Sequence, residues 1–304
     1  MKNKFYASLI VFTLSILIVS CSGDDSAGEQ KIIAESGKKN ELTIHREVLD
    51  EMMQSLPQPI EIADIITKSN MPFSKEMLVP SENSESYPDK YYQSLAFGAY
   101  GVDLGYINLN DKKLFVLEYL EAIRNLSDEL KVGQFFDFQT LYEITKNRHN
   151  ADSLIHISTK NFNKIDEFLR EENRGELSVL MLVGAWLEGM HMFGQIEKKQ
   201  AGEDIKKRIG EQKIVFDNVM AILDKLSKVE HFKKMKTDFE GLKKAYSEVK
   251  ISYIYHDPET KEVNGELVIV DKTETKVEIT DQGINDIISH IEKIRTSYLL
   301  NTKK

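Results

Sequence analysis

Cysteine is almost absent from this chain, since Cys21 is the only one among its 304 residues. A single thiol excludes an internal disulfide, and an unpaired thiol outside the cytoplasm is a liability unless a modification consumes it. Proline is also scarce, and the six prolines stand at Pro57, Pro59, Pro72, Pro80, Pro88 and Pro258. The long stretch between the last two contains none, which favours a series of long helices.

Basic residues are outnumbered, with 40 Lys and Arg against 49 Asp and Glu and a net charge of −9. A net acidic surface repels nucleic acid and anionic lipid headgroups, so neither is expected as a broad-surface partner. Short basic runs such as Lys206-Lys207-Arg208 alternate with acidic residues along helical patterns. They therefore indicate solvated helix faces, and we expect no nucleic-acid partner.

The N-terminus carries the pattern of a secretory signal peptide. Lys2 and Lys4 precede an apolar run over residues 5–19, which is shorter than the roughly 20 residues of a transmembrane helix. The run ends in Ile18-Val19-Ser20-Cys21, which resembles the lipobox of bacterial lipoproteins. We predict a signal peptide over residues 1–20 and acylation of Cys21, with palmitate-like chains as a membrane anchor.

Residues 21–42 are polar and contain glycine, which predicts a lipidated, flexible tether. No aspartate directly follows Cys21, unlike the inner-membrane retention signal of proteobacterial lipoproteins, so an outer-membrane location is expected. Asp24 and Asp25 resemble the surface-export signal of Bacteroidota lipoproteins. The sequence leaves open whether the protein faces the periplasm or the cell surface.

Apolar residues between Tyr91 and Lys250 recur at spacings of three and four, which predicts a mainly α fold built as a multi-helix bundle or array. In residues 113–130, the spacing predicts one buried stripe of Leu114, Leu117, Leu120 and either Ile123 or Leu126. Helix N-caps are expected at Asp111, Asp137 and Asp152. The predicted helices span residues 47–55, 60–69, 90–108, 111–131, 137–148, 151–172, 176–197, 203–228 and 231–249.

After Lys250 the hydrophobic period changes to two, which predicts a small antiparallel β-meander over about 250–280. A small sheet is marginal alone, so we expect it to lie on the helices. Thr280-Asp281 predicts the cap of a final helix that continues to about Leu300, with a buried face of Ile284, Ile287, Ile288, Ile291 and Ile294. We expect one helical domain over residues 43–304.

Residues 113–127 echo residues 213–227 at an offset of one hundred, and eight positions are apolar in both segments. Each segment follows a glycine-bearing apolar helix. The echo predicts a duplicated helix hairpin, with chance similarity between two amphipathic helices as the alternative.

Those glycine-bearing helices, at residues 97–109 and 183–193, are the most unusual segments of the chain. Glycine inside a helix costs about 1 kcal/mol relative to alanine, so clustered glycines need a reason. One hypothesis is close helix packing at Gly98, Gly101 and Gly105. The alternative is a small apolar ligand in a cleft around Gly105, Tyr106 and Trp186.

Polar residues interrupt the same helices. Asp103 is expected to make a structural contact between helices, with Tyr100 and Tyr106 as local hydrogen-bond donors. Glu188 and His191 form an E-x-x-H pair, the spacing that ferritin-like di-iron bundles use. A di-iron site needs a second such pair, but Leu104 and Ile107 stand at the matching positions of the first helix.

The remaining sequence gives little support for catalysis. The other histidines follow no tight ligand spacing, apart from a weak His149 and His156 pair seven residues apart. No G-x-S-x-G elbow or glycine-rich phosphate loop is present, and acylation would consume the only thiol. We therefore predict no catalytic residues, no metal and no cofactor.

The segments Tyr100-Gly101-Val102-Asp103-Leu104-Gly105-Tyr106 and Gly184-Ala185-Trp186-Leu187-Glu188-Gly189 resemble those of uncharacterised helical-bundle lipoproteins of Bacteroidota. The resemblance implies a location and a fold but no activity. Our hypothesis is a non-enzymatic binding or interaction module of the cell envelope, with an envelope protein or a small apolar ligand as its partner. The alternative is a metal-dependent enzyme with a site around Glu188 and His191.

Cys21→Ala tests the anchor. We expect the variant to lose labelling by a palmitate analogue and to accumulate as an uncleaved precursor or in the wrong compartment, because no other thiol can carry the lipid. Unchanged labelling and unchanged outer-membrane fractionation would contradict the prediction.

Overall fold

A computed structural model describes residues 72–135, 146, 151–256, 258–263, 266–270 and 273–301. All of them belong to the unit Leu42–Lys304. Several predictions lie outside the described residues. They concern Cys21, the tether, the helices predicted at 47–55 and 60–69, nearly all of the helix at 137–148, and the residues His45, Asp137 and His149.

The described chain is mainly helical, and it ends in a small antiparallel β region and a final helix, which confirms the predicted fold class. Short 3-10 helices at Lys75–Met77, Ser81–Glu85 and Gly133–Phe135 connect the longer elements. The α-helices are α1 Lys90–Leu109, α2 Lys113–Glu129, α3 Ala151–Glu171, α4 Gly175–Lys199, α5 Glu203–Glu211, α6 Lys213–Lys225, α7 Glu230–Ser247 and α8 Asp281–Arg295. The strands are β1 Lys250–Ile254, β2 Glu259–Val263, β3 Glu266–Val270 and β4 Glu274–Glu278.

Helix α4 forms the centre of the fold. Among the described helices, only α4 is long and apolar enough to span a membrane, yet 94% of its apolar window is buried inside the domain. Helices α1, α3, α5 and α8 all contact it. Its nearly uniform apolar surface is therefore explained by a core position, where a helix is covered on all sides.

Glycines let α1 and α4 approach each other at backbone distance. A Cβ atom added at Gly98 would lie 1.8 Å from the carbonyl oxygen of Met181, and one added at Gly184 would lie 1.9 Å from that of Leu95. No real side chain fits such distances. The packing hypothesis is therefore correct for Gly98 and Gly184.

The same hypothesis is wrong for Gly101. A Cβ atom there would meet no heavy atom of the described chain within 4 Å, and the residue is exposed. Gly105, one turn further along α1, is half-buried. Of Gly98 and Gly101, only Gly98 lies against the backbone of α4.

The buried face of α2 differs from the predicted stripe. Leu114 and Leu117 are 89% and 75% exposed. The face that contacts the core carries Val116, Tyr119, Ala122, Ile123 and Leu126. Two helical phases were compatible with the apolar spacing of this segment, and the one that buries the aromatic Tyr119 is adopted.

Helix α6 buries the same positions as α2. Phe216, Val219, Ile222, Leu223 and Leu226 occupy the core side of α6, each one hundred residues after its α2 counterpart. The exposed position of Leu117 corresponds to Asp217, which is also exposed. The echo in the sequence therefore corresponds to two helices with the same orientation toward the core.

Helix caps were predicted with mixed success. The Thr280 hydroxyl accepts a hydrogen bond from the Gly283 N–H, so the predicted cap of the final helix is confirmed. Asp111 is not an N-cap, because it has φ 50° in the turn before α2 and Lys112 holds the cap position. Asp152 lies inside α3. Asp89, which the sequence analysis did not single out, caps α1 through the N–H groups of Tyr91 and Tyr92.

The four strands form a nested pair of antiparallel ladders. Strand β1 pairs with β4, from Lys250 opposite Glu278 to Ile254 opposite Glu274, and β2 pairs with β3. Only Asn264-Gly265 separates β2 from β3, and Asn-Gly is the dipeptide that most favours a tight hairpin turn. The predicted β segment is present as two antiparallel two-stranded sheets, one formed by β1 and β4 and the other by β2 and β3.

Gly184 of α4 and Gly101 of α1 provide a matched pair of stability tests. Gly184→Ala should destabilise the protein by about 1 to 3 kcal/mol or more, because the new methyl group overlaps the α1 backbone. Gly101→Ala should stabilise it by about 0.5 to 1 kcal/mol, because the site is open and alanine is the better helix former. Chemical denaturation measures both, and equal effects would contradict the assigned roles.

Candidate functional site

The polar residues predicted within the two glycine-bearing helices converge in the core. Asp103 of α1 and Glu188 of α4 are both fully buried. Arg295, the last residue of α8, reaches Glu188 with its guanidinium group, whose Nε and Nη2 atoms lie 2.8 Å from the two carboxylate oxygens. This geometry is the bidentate pairing that satisfies both carboxylate oxygens at once.

Asp103 lies beside this ion pair. Its Oδ2 atom accepts a hydrogen bond from the Val79 N–H at 3.0 Å, while its buried Oδ1 atom has no donor among the described residues. Burial and the adjacent Glu188 carboxylate raise the pKa of Asp103 well above its usual range, against the opposing effect of Arg295. A proton on Asp103, donated to Glu188, removes the repulsion and satisfies the orphan oxygen.

Three buried tyrosines surround the charge cluster, which we define as Asp103, Glu188 and Arg295. Burial raises the pKa of each, so all three remain neutral hydroxyl donors. Their hydroxyls donate to main-chain carbonyls, namely Tyr100 to Pro80 at 2.7 Å, Tyr119 to Val79 at 2.7 Å and Tyr87 to Leu299 at 2.9 Å. These bonds fasten the segment before α1 and the π-helical turn Thr296–Leu300, which follows α8, around the charge cluster.

Tyr100 and Tyr106 were predicted to donate hydrogen bonds to Asp103, and this prediction is wrong. Tyr100 bonds to Pro80, and the Tyr106 hydroxyl accepts from the Ser74 N–H at 3.3 Å. The structural role predicted for Asp103 nevertheless fits its contacts, because the Val79 N–H replaces the tyrosines as the donor. A donor so far along the chain could not be inferred from local spacing.

His191 continues the contact between α4 and α8. Its Nδ1 atom lies 2.9 Å from Oε1 of Glu292, which also accepts from Gln195 at 2.8 Å. Burial opposes ionisation of Glu292, but its contacts with His191, Lys198 and Gln195 lower its pKa to about 2. The pair Glu188 with Arg295 and the pair His191 with Glu292 form an antiparallel ladder between α4 and α8.

This ladder accounts for the E-x-x-H spacing without a metal. Both Glu188 oxygens accept hydrogen bonds from Arg295, so the carboxylate is already paired with a cation. Within the described ranges, no three His, Cys, Asp or Glu side chains lie close enough to hold a metal ion. His191 keeps one buried atom, Nε2, without a partner in the described chain. One imidazole nitrogen alone makes no ligand set.

The remaining candidates are parts of the apolar core. Trp186 is fully buried, donates from Nε1 to Gln212 at 3.1 Å and stacks on Phe216. Tyr106 is buried and stacks on Phe73, with ring centroids 5.2 Å apart. Another aromatic ring thus already covers a face of Trp186 and a face of Tyr106, which does not favour the predicted ligand cleft.

Comparison with known proteins adds no assignment. The chain matches no protein-family model, no curated protein and no solved structure. The resemblance to helical lipoproteins of Bacteroidota therefore stays a prediction.

Arg295 and Tyr87 were not predicted from the sequence. Arg295 was missed because the final helix was interpreted from its isoleucines alone. The residue lies four and seven positions after Ile291 and Ile288, on the same buried stripe, and a cation on such a stripe indicates a buried anion nearby. Tyr87 carried no comparable signal, since it lies in an irregular proline- and serine-rich segment.

The charge cluster is buried, and its groups already have partners within the protein. Its groups are buried and bonded to one another or to main chain, so a substrate would have to displace protein to reach them. One proton on Asp103 makes the three groups neutral together, which is the state that burial favours.

Asp103→Asn tests the proton. Above the usual aspartate pKa of 3.8, the unfolded chain releases this proton while the folded chain keeps it. The unfolding free energy of the wild type should therefore fall, relative to the variant, by up to about 1.4 kcal/mol per pH unit until the raised pKa is reached. The asparagine amide can still accept from Val79 and donate to Glu188.

Urea denaturation at acidic, neutral and alkaline pH measures the difference. Asp204→Asn, on the exposed surface of α5, controls for loss of a carboxyl group. Parallel pH profiles for the wild type and Asp103→Asn would show that Asp103 is ionised in the folded protein.

Proposed function

We propose that the protein is a lipid-anchored module of the bacterial outer membrane that binds another envelope protein and catalyses no reaction. The signal peptide and Cys21 in the sequence support the location. The structure supports a binding role through large apolar side chains that are exposed to solvent. These side chains lie on the β ribbon, which we define as residues 250–256 and 273–278.

The β ribbon exposes large side chains on a small sheet. Tyr253 and Tyr255 are 48% and 78% exposed, and their ring centroids lie 6.4 Å apart. Ile254, between them, is also largely exposed on the opposite face. Exposed aromatic residues in a cluster are typical of protein-binding surfaces, because tyrosine buries a large area at a small entropic cost.

The base of the β ribbon is fixed to the helices. Val277 packs against α5 so closely that a Cβ atom at Gly210 would lie 2.4 Å from its side chain. Ile251 and Ile279 also pack against the core. In the described chain, β1 pairs with no strand other than β4, so its second edge is available for an added strand.

A protein partner is favoured over a small apolar ligand and over a metal-dependent reaction. The glycine-bearing helices contact each other directly at Gly98 and Gly184. Trp186 donates a hydrogen bond to Gln212 and stacks on Phe216. Glu188 is bound on both oxygens. The single observation that carries the proposal is the exposed pair Tyr253 and Tyr255 on a firmly seated ribbon.

Site-specific photocrosslinking in cells tests the proposal. Benzoylphenylalanine in place of Tyr255 should give a discrete adduct with one envelope protein, whereas the same probe at exposed Lys244 on α7 should not. Tyr253→Ser should weaken the adduct while the melting temperature stays unchanged, because half of that side chain is already in solvent.

Two outcomes would contradict this function. Adducts of the same pattern from Tyr255 and Lys244 would indicate random collisions. An absence of adducts at Tyr255, in cells where the acylated protein is present at normal levels, would show that the β ribbon is not a binding surface.

A further inference from the structure

Leu114 and Leu117 at the start of α2 are an anomaly of the fold. They are among the most exposed large apolar side chains described, and they lie three residues apart on one helix face. Their counterparts on α6 are Ile214, which is 44% exposed, and Asp217. Since α6 occupies the core in the same way with an aspartate at this position, folding does not require Leu117.

The two leucines belong to a larger amphipathic surface, which we call the leucine patch. Half-buried Phe73 and Phe115 stack on each other beside Leu114, with centroids 5.7 Å apart. Lysine side chains lie over these rings, Lys75 at 4.9 Å from the Phe115 centroid and Lys112 at 5.4 Å from that of Phe73.

The lysines of the leucine patch are exposed at their charged ends. Lys112 and Lys113 immediately precede Leu114, and Lys75 is half-exposed although it pairs with Glu118. Long basic side chains that cover apolar surface and extend their ammonium groups outward are typical of residues at a membrane interface. At a bilayer surface, the leucines would meet the acyl chains while the ammonium groups of the lysines around them would meet the lipid headgroups.

The described part of the domain begins within the leucine patch. Pro72 and Phe73 begin the described domain, and Phe73 is itself part of the patch. In the sequence, residues 22–71 connect this start to Cys21. A domain anchored by lipid through that connection meets the bilayer at high effective concentration, so a small patch suffices for contact.

We propose that Leu114, Leu117 and the lysines around them contact the lipid surface to which Cys21 anchors the protein. The inference rests on the proposed lipid anchor. It differs from a broad electrostatic attachment, which the net acidic charge disfavours, because it is local and depends on two apolar side chains. The contact holds the domain in one orientation on the membrane.

A fluorescent reporter on the acylated protein tests this contact. Cys21 is the only native cysteine and its thiol is consumed by acylation, so Leu114→Cys offers a unique thiol for an environment-sensitive dye. The protein is placed in vesicles of phosphatidylethanolamine and phosphatidylglycerol that contain a spin-labelled lipid quencher. Ile214→Cys, at the matching position of α6, is the control site.

We expect lipid quenching of the dye at residue 114 and none at residue 214. Adding Leu117→Asp, which copies the residue found on α6, should abolish the quenching at 114. The melting temperature should not change, because Leu117 is already in solvent.

Each other result overturns a defined part of the inference. Protein that floats with the vesicles but shows an unquenched reporter at 114 overturns the lipid contact alone. If its emission is also blue-shifted, a protein segment or a second copy covers the leucines instead. Protein that does not float with the vesicles overturns the anchor and, with it, this inference.

Discussion

The ion pair between Glu188 and Arg295 is the constraint on which the rest of the core depends. An ion pair this deeply buried is tolerated only with near-ideal geometry, and removal of one partner typically costs about 3 to 5 kcal/mol. The two residues lie 107 positions apart in the sequence, and Arg295 also donates to the Met77 carbonyl at 3.2 Å. One guanidinium thus joins the central helix, the last helix and the segment before α1.

The charge cluster also defines how the helices are aligned. Nonpolar packing tolerates small sliding of one helix along another, but a bidentate pair and the adjacent Asp103 contact do not. Glu188 with Arg295 and His191 with Glu292 fix α8 in one antiparallel register on α4. Backbone contact at Gly98 and Gly184 fixes the position of α1 on α4. Polar groups in this core therefore act mainly to select one arrangement.

Local features of this fold were predictable from the sequence, whereas long-range pairing was not. The helices, the final cap at Thr280 and the change to β structure after Lys250 depend on nearby residues, whose periods and side chains are visible in the sequence. The partner of Glu188 and the donor to Asp103 depend on residues brought together only by folding. The phase of α2 was misjudged because its leucines were assumed to be buried, although leucine is often found at surfaces.

The buried and the exposed apolar residues of α2 have different explanations. A residue such as Tyr119 is explained by the core, because its ring is buried and its hydroxyl bonds to Val79. Leu117 has no such explanation, since an aspartate serves at the matching position of α6. Leucine in water gains nothing for the isolated domain. Its presence is therefore best explained by a surface outside the domain, and under the proposed lipid anchor that surface is the membrane.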